Sequence, residues 1–279
     1  MPRLHQSEIG LDTGMFSVHQ MHPEVALRLG ISVGLGGLGR QGRGLQSMIT
    51  SHGTALVVVR AEVAYLRPLT FFSATSIITE SHVSLRDDGN LLTFHIRHSL
   101  AGEELIAARV ATRPVAVSGG PALDAVPAPA NGNVRALFDH DEIVPRKAAP
   151  TRYLKAQVQR WVMDAEQVGE GTQPLLIGRN DCELADQWLY ARLPSLVATA
   201  REQLLFDGAA DLSVCLSRPI TRFQGEFFRP MYFGDHGQIE VKLYRRGEQT
   251  SAVHRVLGER PPDGSDEERP LCALAVETF

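Results

Sequence analysis

One short sequence phrase occurs twice in the chain, and the distance between its two copies limits the folds that the chain can adopt. Residues 60–73 read RAEVAYLRPLTFFS and residues 222–235 read RFQGEFFRPMYFGD. Four identical pairs share a separation of 162 positions: Arg60/Arg222, Arg67/Arg229, Pro68/Pro230 and Phe71/Phe233. Solenoid repeats recur every 20–50 residues or so. The longer spacing therefore predicts two similar domains in one polypeptide.

The bulk composition fits this division and excludes several classes of protein. The 279 residues suffice for two ordinary domains. A hydrophobic content of 43% is normal for a globular protein, and a net charge of −4 leaves no chain-wide basic surface for nucleic acid. No apolar run approaches the roughly 20 residues of a membrane helix. The N-terminus has no apolar signal core, and the three cysteines lack motif spacing, so we expect reduced thiols and a cytoplasmic location.

The boundary between the domains is predicted from a Gly-, Pro- and Ala-rich stretch. Residues 117–133 (VSGGPALDAVPAPANGN) interrupt every periodic pattern and are typical of a linker. This gives an N-terminal unit over 1–116, a linker over 117–133 and a C-terminal unit over 134–279. The linker lies between the two copies of the repeated phrase.

The first half predicts one helix followed by an antiparallel meander. Pro23–Leu29 is the helical candidate, with Gly30 suited to its C-cap. Val-rich and aromatic segments joined by Asp-Gly and Ala-Gly turns follow, as expected for strands. These segments are Ala55–Tyr65, Thr70–Leu85, Leu91–His98 and Leu105–Pro114.

The second half predicts a similar order. Residues 184–206 carry apolar side chains at helical spacing, with a kink expected at Pro194. A charged loop over Gly258–Pro270 interrupts the strands. The predicted strands are Tyr153–Met163, Leu212–Phe228, Gly237–Arg245, Ala252–Leu257 and Leu271–Phe279. A long helix laid across an antiparallel sheet in each half is an α+β arrangement.

One sequence motif, taken alone, indicates a different fold. Residues 34–39 form G-x-G-x-x-G, the pattern of a dinucleotide-binding turn. That fold needs a buried strand before the glycines and further βα units after them, whereas a β-meander follows here. We expect a flexible loop instead, to which Arg40 and Arg43 could attract an anion.

The second copy of the phrase resembles a known family. A strand reading F-F-R-P-M-x-F-G-D after a helix that ends in Ala200-Arg201 resembles hot-dog-fold thioesterases of the 4-hydroxybenzoyl-CoA thioesterase type. That family starts its helix with D-x-D-x-x-G-H-V-N-N-x-x-Y. Asp181 and Glu183 fall on the acidic positions and Leu193 on the tyrosine, while residues 186–190 replace Gly-His-Val-Asn-Asn. Tandem organisation also resembles the double-hot-dog acyltransferase/decarboxylase of leinamycin biosynthesis.

The resemblance implies a double hot dog, each unit a long helix wrapped by an antiparallel sheet and the two packed as a pseudo-dimer. It implies a thioesterase acting on acyl-CoA or acyl-carrier-protein thioesters, in polyketide or other secondary metabolism. Coenzyme A or phosphopantetheine would enter with the substrate, without a separate cofactor or metal. A further homodimer of the fused pair is possible. Asp12 is the expected counterpart of Asp181 in the first half.

The acidic pair has two interpretations. Glu183 or Asp181 could activate water or attack the thioester, while N–H groups at the helix start hold the oxyanion. Alternatively, Asn180 or Asp181 caps the helix and the acids favour its dipole. Asn180 could also contact substrate. Tyr190, on the same helix, is either a third catalytic candidate or a core residue.

The remaining candidates also stay open. Tyr65 could accept an acyl group or donate a hydrogen bond, although its counterpart Phe227 favours packing. Arg67 and Arg229 could bind the diphosphate of coenzyme A or support the fold. His19, near Asp12, suits a dehydratase or an exposed position. Four functions follow: a thioesterase, an acyltransferase/decarboxylase acting through a tyrosine, a hot-dog dehydratase, or a non-catalytic binding protein for acyl carriers.

Overall fold

Two units make up the chain. The structure, a computed structural model, describes residues 3–40, 44–118, 124–130, 132–146, 153–183, 187–206, 215, 217–259 and 268–279. It divides into a first unit, Met1–Thr151, and a second unit, Arg152–Phe279. Among the helices in these ranges, none is both long and apolar enough to cross a membrane.

The first unit is one long helix on an antiparallel sheet. Its strand order is β1-β3-β4-β5-β2, and every neighbouring pair in that order is antiparallel. Two short strands join it, β6 beside β5 and β7 parallel to β3. The elements are β1 (Leu4–Gly10), α1 (Pro23–Arg40), α2 (Leu45–His52), β2 (Thr54–Tyr65), β3 (Ser76–Arg86), β4 (Leu92–Leu100), β5 (Glu103–Ser118), β6 (Asp124–Pro127), α3 (Gly132–Arg135) and β7 (Ile143–Val144).

The second unit repeats this topology behind one extra helix. Its strand order, β8-β10-β11-β12-β9, is that of the first unit, strand for strand. The ladder between β4 and β5 and the ladder between β11 and β12 are even interrupted at the same place, after His98 in one unit and after Val256 in the other. The elements are α4 (Leu154–Val162), β8 (Glu166–Leu176), α5 (Leu193–Phe206), β9 (Arg222–Phe227), β10 (His236–Arg246), β11 (Gln249–Gly258) and β12 (Leu271–Thr278).

Each unit buries its long helix on one face of its sheet. Helix α1 packs on β3, β4 and β5, and α5 packs on β8, β10 and β12. Apolar side chains recur at helical spacing on the buried face of α1, including Ala26, Leu27 and Val33. A long helix wrapped by an antiparallel sheet is the hot-dog arrangement. The predicted α+β fold with two hot-dog units in tandem is confirmed.

The repeated phrase builds the same turn in both units. After β2, the N–H groups of Leu66 and Arg67 both donate to the carbonyl of Leu105, at 2.9 and 3.2 Å. After β9, the N–H groups of Phe228 and Arg229 donate to the carbonyl of Cys272, at 2.8 and 3.2 Å. In both units the chain therefore leaves the sheet by the same path at the Arg-Pro dipeptide.

The first unit extends beyond the predicted boundary at 116. Strand β5 continues to Ser118, and β6, which lies in the predicted linker, pairs with it. Strand β7 then pairs with β3, so residues past 134 also belong to this unit. Backbone pairing, which composition does not reveal, holds these segments to the first sheet. Residues 119–123 and 131 of the predicted linker lie outside the described residues.

The glycine motif is helical, so the predicted flexible loop is wrong. Helix α1 does not stop at Gly30 but runs to Arg40. A Cβ atom on Gly30 would lie 2.3 Å from Ile96, and one on Gly37 only 2.0 Å from His5. Gly30, Gly34 and Gly37 stand where the helix backbone approaches the sheet too closely for a side chain. Arg43 lies outside the described residues.

Two boundaries in the second unit also differ from prediction. The expected strand over 153–163 is helix α4, because Leu154, Val158 and Trp161 follow helical spacing. The expected helix over 184–206 begins only at Leu193, after a 3-10 turn, so Pro194 lies in its first turn and causes no kink. Ala200-Arg201 consequently lies within α5 and not at its end. Residues 184–186, 212–214, 216 and 260–267 of the predicted elements lie outside the described residues.

Candidate active site

A closed loop carries the acidic pair between β8 and α5. A 3-10 turn, Arg179–Asp181, follows β8. The N–H of Leu189 donates to the carbonyl of Asp181 at 2.7 Å, and the N–H of Glu183 donates to the carbonyl of Gln187 at 2.9 Å. The N–H of Trp188 donates to the carbonyl of Met231, which follows the repeated Arg-Pro turn. The loop that presents Glu183 is therefore anchored to the start of the helix and to the turn after β9.

Asp181 is engaged on both carboxylate oxygens. Its Oδ2 accepts the N–H of Gly178 at 3.0 Å, and its Oδ1 accepts Nε of Arg192 at 3.3 Å. The first contact closes the 3-10 turn, and the second ties that turn to the residues preceding α5. These contacts are those of a carboxylate that holds local structure.

Glu183 combines exposure with a perturbed acidity. The side chain reaches solvent, yet removal of water by the surrounding protein raises the pKa of its carboxyl to about 7. Because water reaches the group, solvent screens part of this effect. A carboxyl that titrates near neutrality and touches solvent can act as a general base toward water.

The first unit has the same loop without the acids. The N–H of His22 donates to the carbonyl of Met15, and the N–H of Ser17 donates to that of Gln20. These bonds match those of Leu189 with Asp181 and of Glu183 with Gln187, so Met15 is the counterpart of Asp181 and Ser17 of Glu183. The expected pairing of Asp12 with Asp181 is wrong. Asp12 caps its own 3-10 turn by accepting the N–H of Gly14 at 2.8 Å.

The two candidate tyrosines lie in different surroundings. The Tyr65 hydroxyl donates to the carbonyl of Met21 at 2.5 Å, and burial raises its pKa. Both features oppose ionisation, which an acyl-accepting phenol needs. Its counterpart Phe227 packs edge-on against Trp188 with ring centroids 6.0 Å apart, so both residues support this loop. Tyr190 is half-buried and opens the 3-10 turn that leads into α5.

The remaining predicted residues are spread over the surface of each unit. Arg67 is paired with the exposed carboxylate of Glu103 at 2.6 Å. Arg229 is exposed, and no carboxylate of the described residues lies within ion-pair distance of it. Asn180 is exposed in the 3-10 turn beside Asp181, and His19 is half-buried in the loop that matches the Glu183 loop.

Sequence inspection missed a buried charged cluster under α5. Glu277 accepts hydrogen bonds from Nη1 of Arg201 and, at 3.0 Å, from Nε2 of His254. Glu277 is only 1% exposed and His254 fully buried. Burial alone would raise the pKa of Glu277, but the charge of Arg201 and the two hydrogen bonds hold it below its usual range. The available signal was an ionisable residue at an inward position in each of two apolar strands.

No group of three or more His, Cys, Asp or Glu side chains in the described parts of the chain is arranged to hold a metal ion.

Comparisons with known proteins support the fold. No family model and no curated protein matches the chain, but solved structures do. A Lactobacillus plantarum protein assigned as an oleoyl thioesterase gives a TM-score of 0.73 at 9% identity, covering 99% of this chain and 95% of that one. An acyl-ACP thioesterase from Bacteroides thetaiotaomicron gives 0.64 at 10%, covering 98% and 96%. The 12:0-ACP thioesterase from Umbellularia californica gives 0.61 at 14%, with the same coverage.

These matches show that the chain shares its hot-dog fold with acyl thioesterases along nearly its whole length. The closer likeness to the 4-hydroxybenzoyl-CoA type, and that to the leinamycin-pathway group, stay predictions.

Proposed function

We propose that the chain hydrolyses acyl thioesters carried on coenzyme A or on an acyl carrier protein, with Glu183 as the general base. The observation that carries this proposal is a solvent-accessible carboxyl with a pKa raised to about 7, on a loop anchored beside the start of the hot-dog helix. The fold shared with acyl thioesterases supports the same class of reaction.

The chemistry requires few groups. Ionised Glu183 removes a proton from water as the water oxygen attacks the thioester carbonyl carbon. The C–S bond breaks, the carboxylic acid product forms, and the thiolate takes up a proton. An oxyanion on the thioester carbonyl needs hydrogen-bond donors. At the start of α5 the N–H of Leu193 already donates to the carbonyl of Tyr190 and Pro194 has no N–H, so these two residues do not supply them. Asp181, through Gly178 and Arg192, positions the turn that precedes Glu183.

Substrate contacts are assigned by exposure and charge. Arg229, exposed beside the turn that anchors Trp188, suits a phosphate of coenzyme A or phosphopantetheine. Asn180 and Tyr190 flank Glu183 in sequence and suit the polar part of the thioester. Arg67, His19 and Tyr65 belong to the matching region of the first unit, and we assign them supporting roles there.

The test is thiol release from a panel of acyl-CoA and acyl-carrier-protein thioesters. We expect Glu183→Gln to lower kcat/KM by about 10²- to 10⁴-fold, the usual contribution of a positioned base. Glu183→Ser, which installs the counterpart found at Ser17, should be equally impaired. Glu166→Gln, which removes an exposed carboxylate paired with Arg245, is the matched control and should retain activity. Wild-type rates in both Glu183 variants would refute the assignment.

The pH profile provides a second test. Because Glu183 must be ionised to accept a proton, kcat/KM should rise as pH increases through about 7. In Glu183→Gln the residual activity should lose this limb. A limb that persists in the variant would belong to another group.

Rival functions give different outcomes in the same assays. Transfer through a tyrosine would leave an acylated protein detectable by intact mass, and Tyr190→Phe would abolish it. Tight binding of acyl carriers without turnover would indicate a carrier-binding protein, and hydration of an enoyl thioester would indicate a dehydratase. The homodimer, the cytoplasmic location and the place in secondary metabolism stay predictions.

A further inference from the structure

The second unit has a cavity away from the candidate active site. A space of about 770 Å³ lies between α4 and the face of the sheet formed by β9, β12, β11 and β10. Side chains alternate between the two faces of a strand. Along β12, Val276 and Thr278 line the cavity, whereas Glu277 between them contacts Arg201 on α5. The cavity and α5 therefore lie on opposite faces of the sheet.

One wall of the cavity is apolar. It is lined by Val158 and Trp161 of α4 and by Val276 of β12. The Trp161 ring packs edge-on against Tyr244 of β10, with ring centroids 5.9 Å apart, which fixes its orientation. A volume of a few hundred Å³ with an aromatic wall is typical of a small-molecule site.

The cavity also carries positive charge. Arg160, Arg222 and Arg246 line it, accompanied by a single carboxylate, Asp164, which lies 3.7 Å from Arg246. The lining thus carries an excess of two positive charges. Guanidinium groups bind carboxylates and phosphates through paired hydrogen bonds.

The repeated phrase explains why Arg222 differs from its twin. In the first unit Arg60 is buried and pairs with Glu62 at 3.1 Å, two residues along the same strand. In the second unit Gln224 stands at the position of Glu62. No carboxylate of the described residues lies within ion-pair distance of Arg222, and its side chain faces the cavity instead. The arginine of the repeated phrase thus forms an internal ion pair in the first unit and lines a cavity in the second.

We propose that this cavity is a binding site for an amphipathic organic anion, that is, a carboxylate or phosphate group joined to an apolar part. The arginines hold the anionic group, and the wall formed by Val158, Trp161 and Val276 holds the apolar part. The site is distinct from the one assigned to thioester hydrolysis and does not depend on it.

Isothermal titration and tryptophan fluorescence test the site in the full-length protein. The probes are octanoate, coenzyme A and inorganic phosphate, which separate a carboxylate source from a phosphate source. We expect octanoate or coenzyme A to bind and to change the emission of Trp161, with the change absent in Trp161→Phe. Arg222→Gln/Arg246→Gln should weaken binding by about tenfold or more.

Arg245→Gln is the matched control. Arg245 adjoins Arg246 in β10 but points to the other face and pairs with Glu166, so its loss should leave binding unchanged. Glu183→Ser should also leave it unchanged, which separates failure of this site from failure of the hydrolase assignment. The proposal is overturned if neither organic probe binds at about 10 mM. It is equally overturned if the change in Trp161 emission survives the double substitution, or if phosphate alone binds as tightly as octanoate and coenzyme A.

Discussion

The two units share the same backbone arrangement, but they place different side chains where the long helix meets the sheet. In the first unit Gly37 of α1 lies over His5 of β1, whereas in the second Leu204 of α5 lies over Gly171 of β8. A Cβ atom on Gly171 would fall 1.9 Å from Leu204. The strand registers make His5 the counterpart of Gly171. Each unit therefore keeps the helix close to the sheet by placing a glycine at the contact. The glycine is on the helix in the first unit and on the strand in the second.

A second difference between the units concerns buried ionisable side chains. The buried cluster of Arg201, Glu277 and His254 has only apolar counterparts in the first unit. The strand registers match Glu277 to Val110 and His254 to Ile96, and the hydrogen bonds of the matching loops align Arg201 with Gly34. A duplicated hot-dog core therefore does not need the charges to fold. What the second unit gains is a salt bridge beneath the helix that the candidate active-site loop enters.

The largest expected effect is on this cluster. Glu277→Ala would leave the buried guanidinium of Arg201 without its main partner, and breaking a buried pair typically costs about 3–5 kcal/mol. Chemical denaturation followed by circular dichroism measures the loss. Glu240→Ala, which removes an exposed pair with Arg255, should cost about 1 kcal/mol or less.

The cluster should also respond to pH. The pKa of Glu277 is lower folded than unfolded, so the stability it contributes is present above the usual glutamate pKa of about 4.3 and is lost as pH falls below it. Glu277→Ala should therefore flatten the acid limb of the stability profile. Equal costs for the Glu277 and Glu240 substitutions would show that the cluster is not a stabilising difference between the units.

The second largest effect is expected from moving the glycine of the helix–sheet contact from the helix to the strand. Gly37→Leu, which copies Leu204, would force a side chain into His5 and should cost about 1–3 kcal/mol or more by overpacking. His5→Gly, which copies Gly171, should relieve the clash. A double-mutant cycle by thermal melting should thus give a favourable coupling energy. Additive effects would mean that the two contacts are not equivalent.

The sequence predicted what depends on local pattern. Alternation and turn residues located β2, β4, β10 and β12 to within a few residues, and the repeated phrase predicted two similar units. The glycine-rich end of α1 could not be foreseen, because glycine disfavours a helix in isolation and only the approach to Ile96 and His5 explains it. The strand expected over 153–163 failed for a different reason, since Leu154, Val158 and Trp161 already stood at helical spacing in the sequence.

The site was only partly predictable. Glu183 was named from its place in a family pattern, and its raised pKa agrees with that choice. Matching the two loops required backbone hydrogen bonds, because the loop after Glu183 is one residue longer than the one after Ser17. The family resemblance alone paired Asp12 with Asp181. The charged cluster under α5 and the cavity beneath α4 bring together residues from distant strands.

A smaller effect is expected at the repeated arginines. Arg67 is held by Glu103, whereas a proline, Pro270, stands at the matching position near Arg229. If Arg229 binds the phosphate of the carrier, Arg229→Gln should raise KM about three- to tenfold with little change in kcat, and added salt should reduce the difference. Arg67→Gln should alter neither constant. The two arginines would be equivalent if both substitutions raised KM alike.

The smallest effect should separate function from stability at Glu183. Its folded pKa is raised above the usual glutamate value, so the folded state holds a proton that the unfolded state has released, and stability falls as pH rises from about 4.5 to about 7. Glu183→Gln removes this loss. The variant should therefore melt slightly higher than the wild type at about pH 8 and at the same temperature at about pH 4.

Ser17→Gln, at the matching position of the first unit, removes no charge and should show no such pH dependence. A Glu183→Gln variant that is less stable than the wild type at high pH would mean that the carboxylate holds the loop together, as Asp181 does, and would remove the physical basis for choosing it as the base.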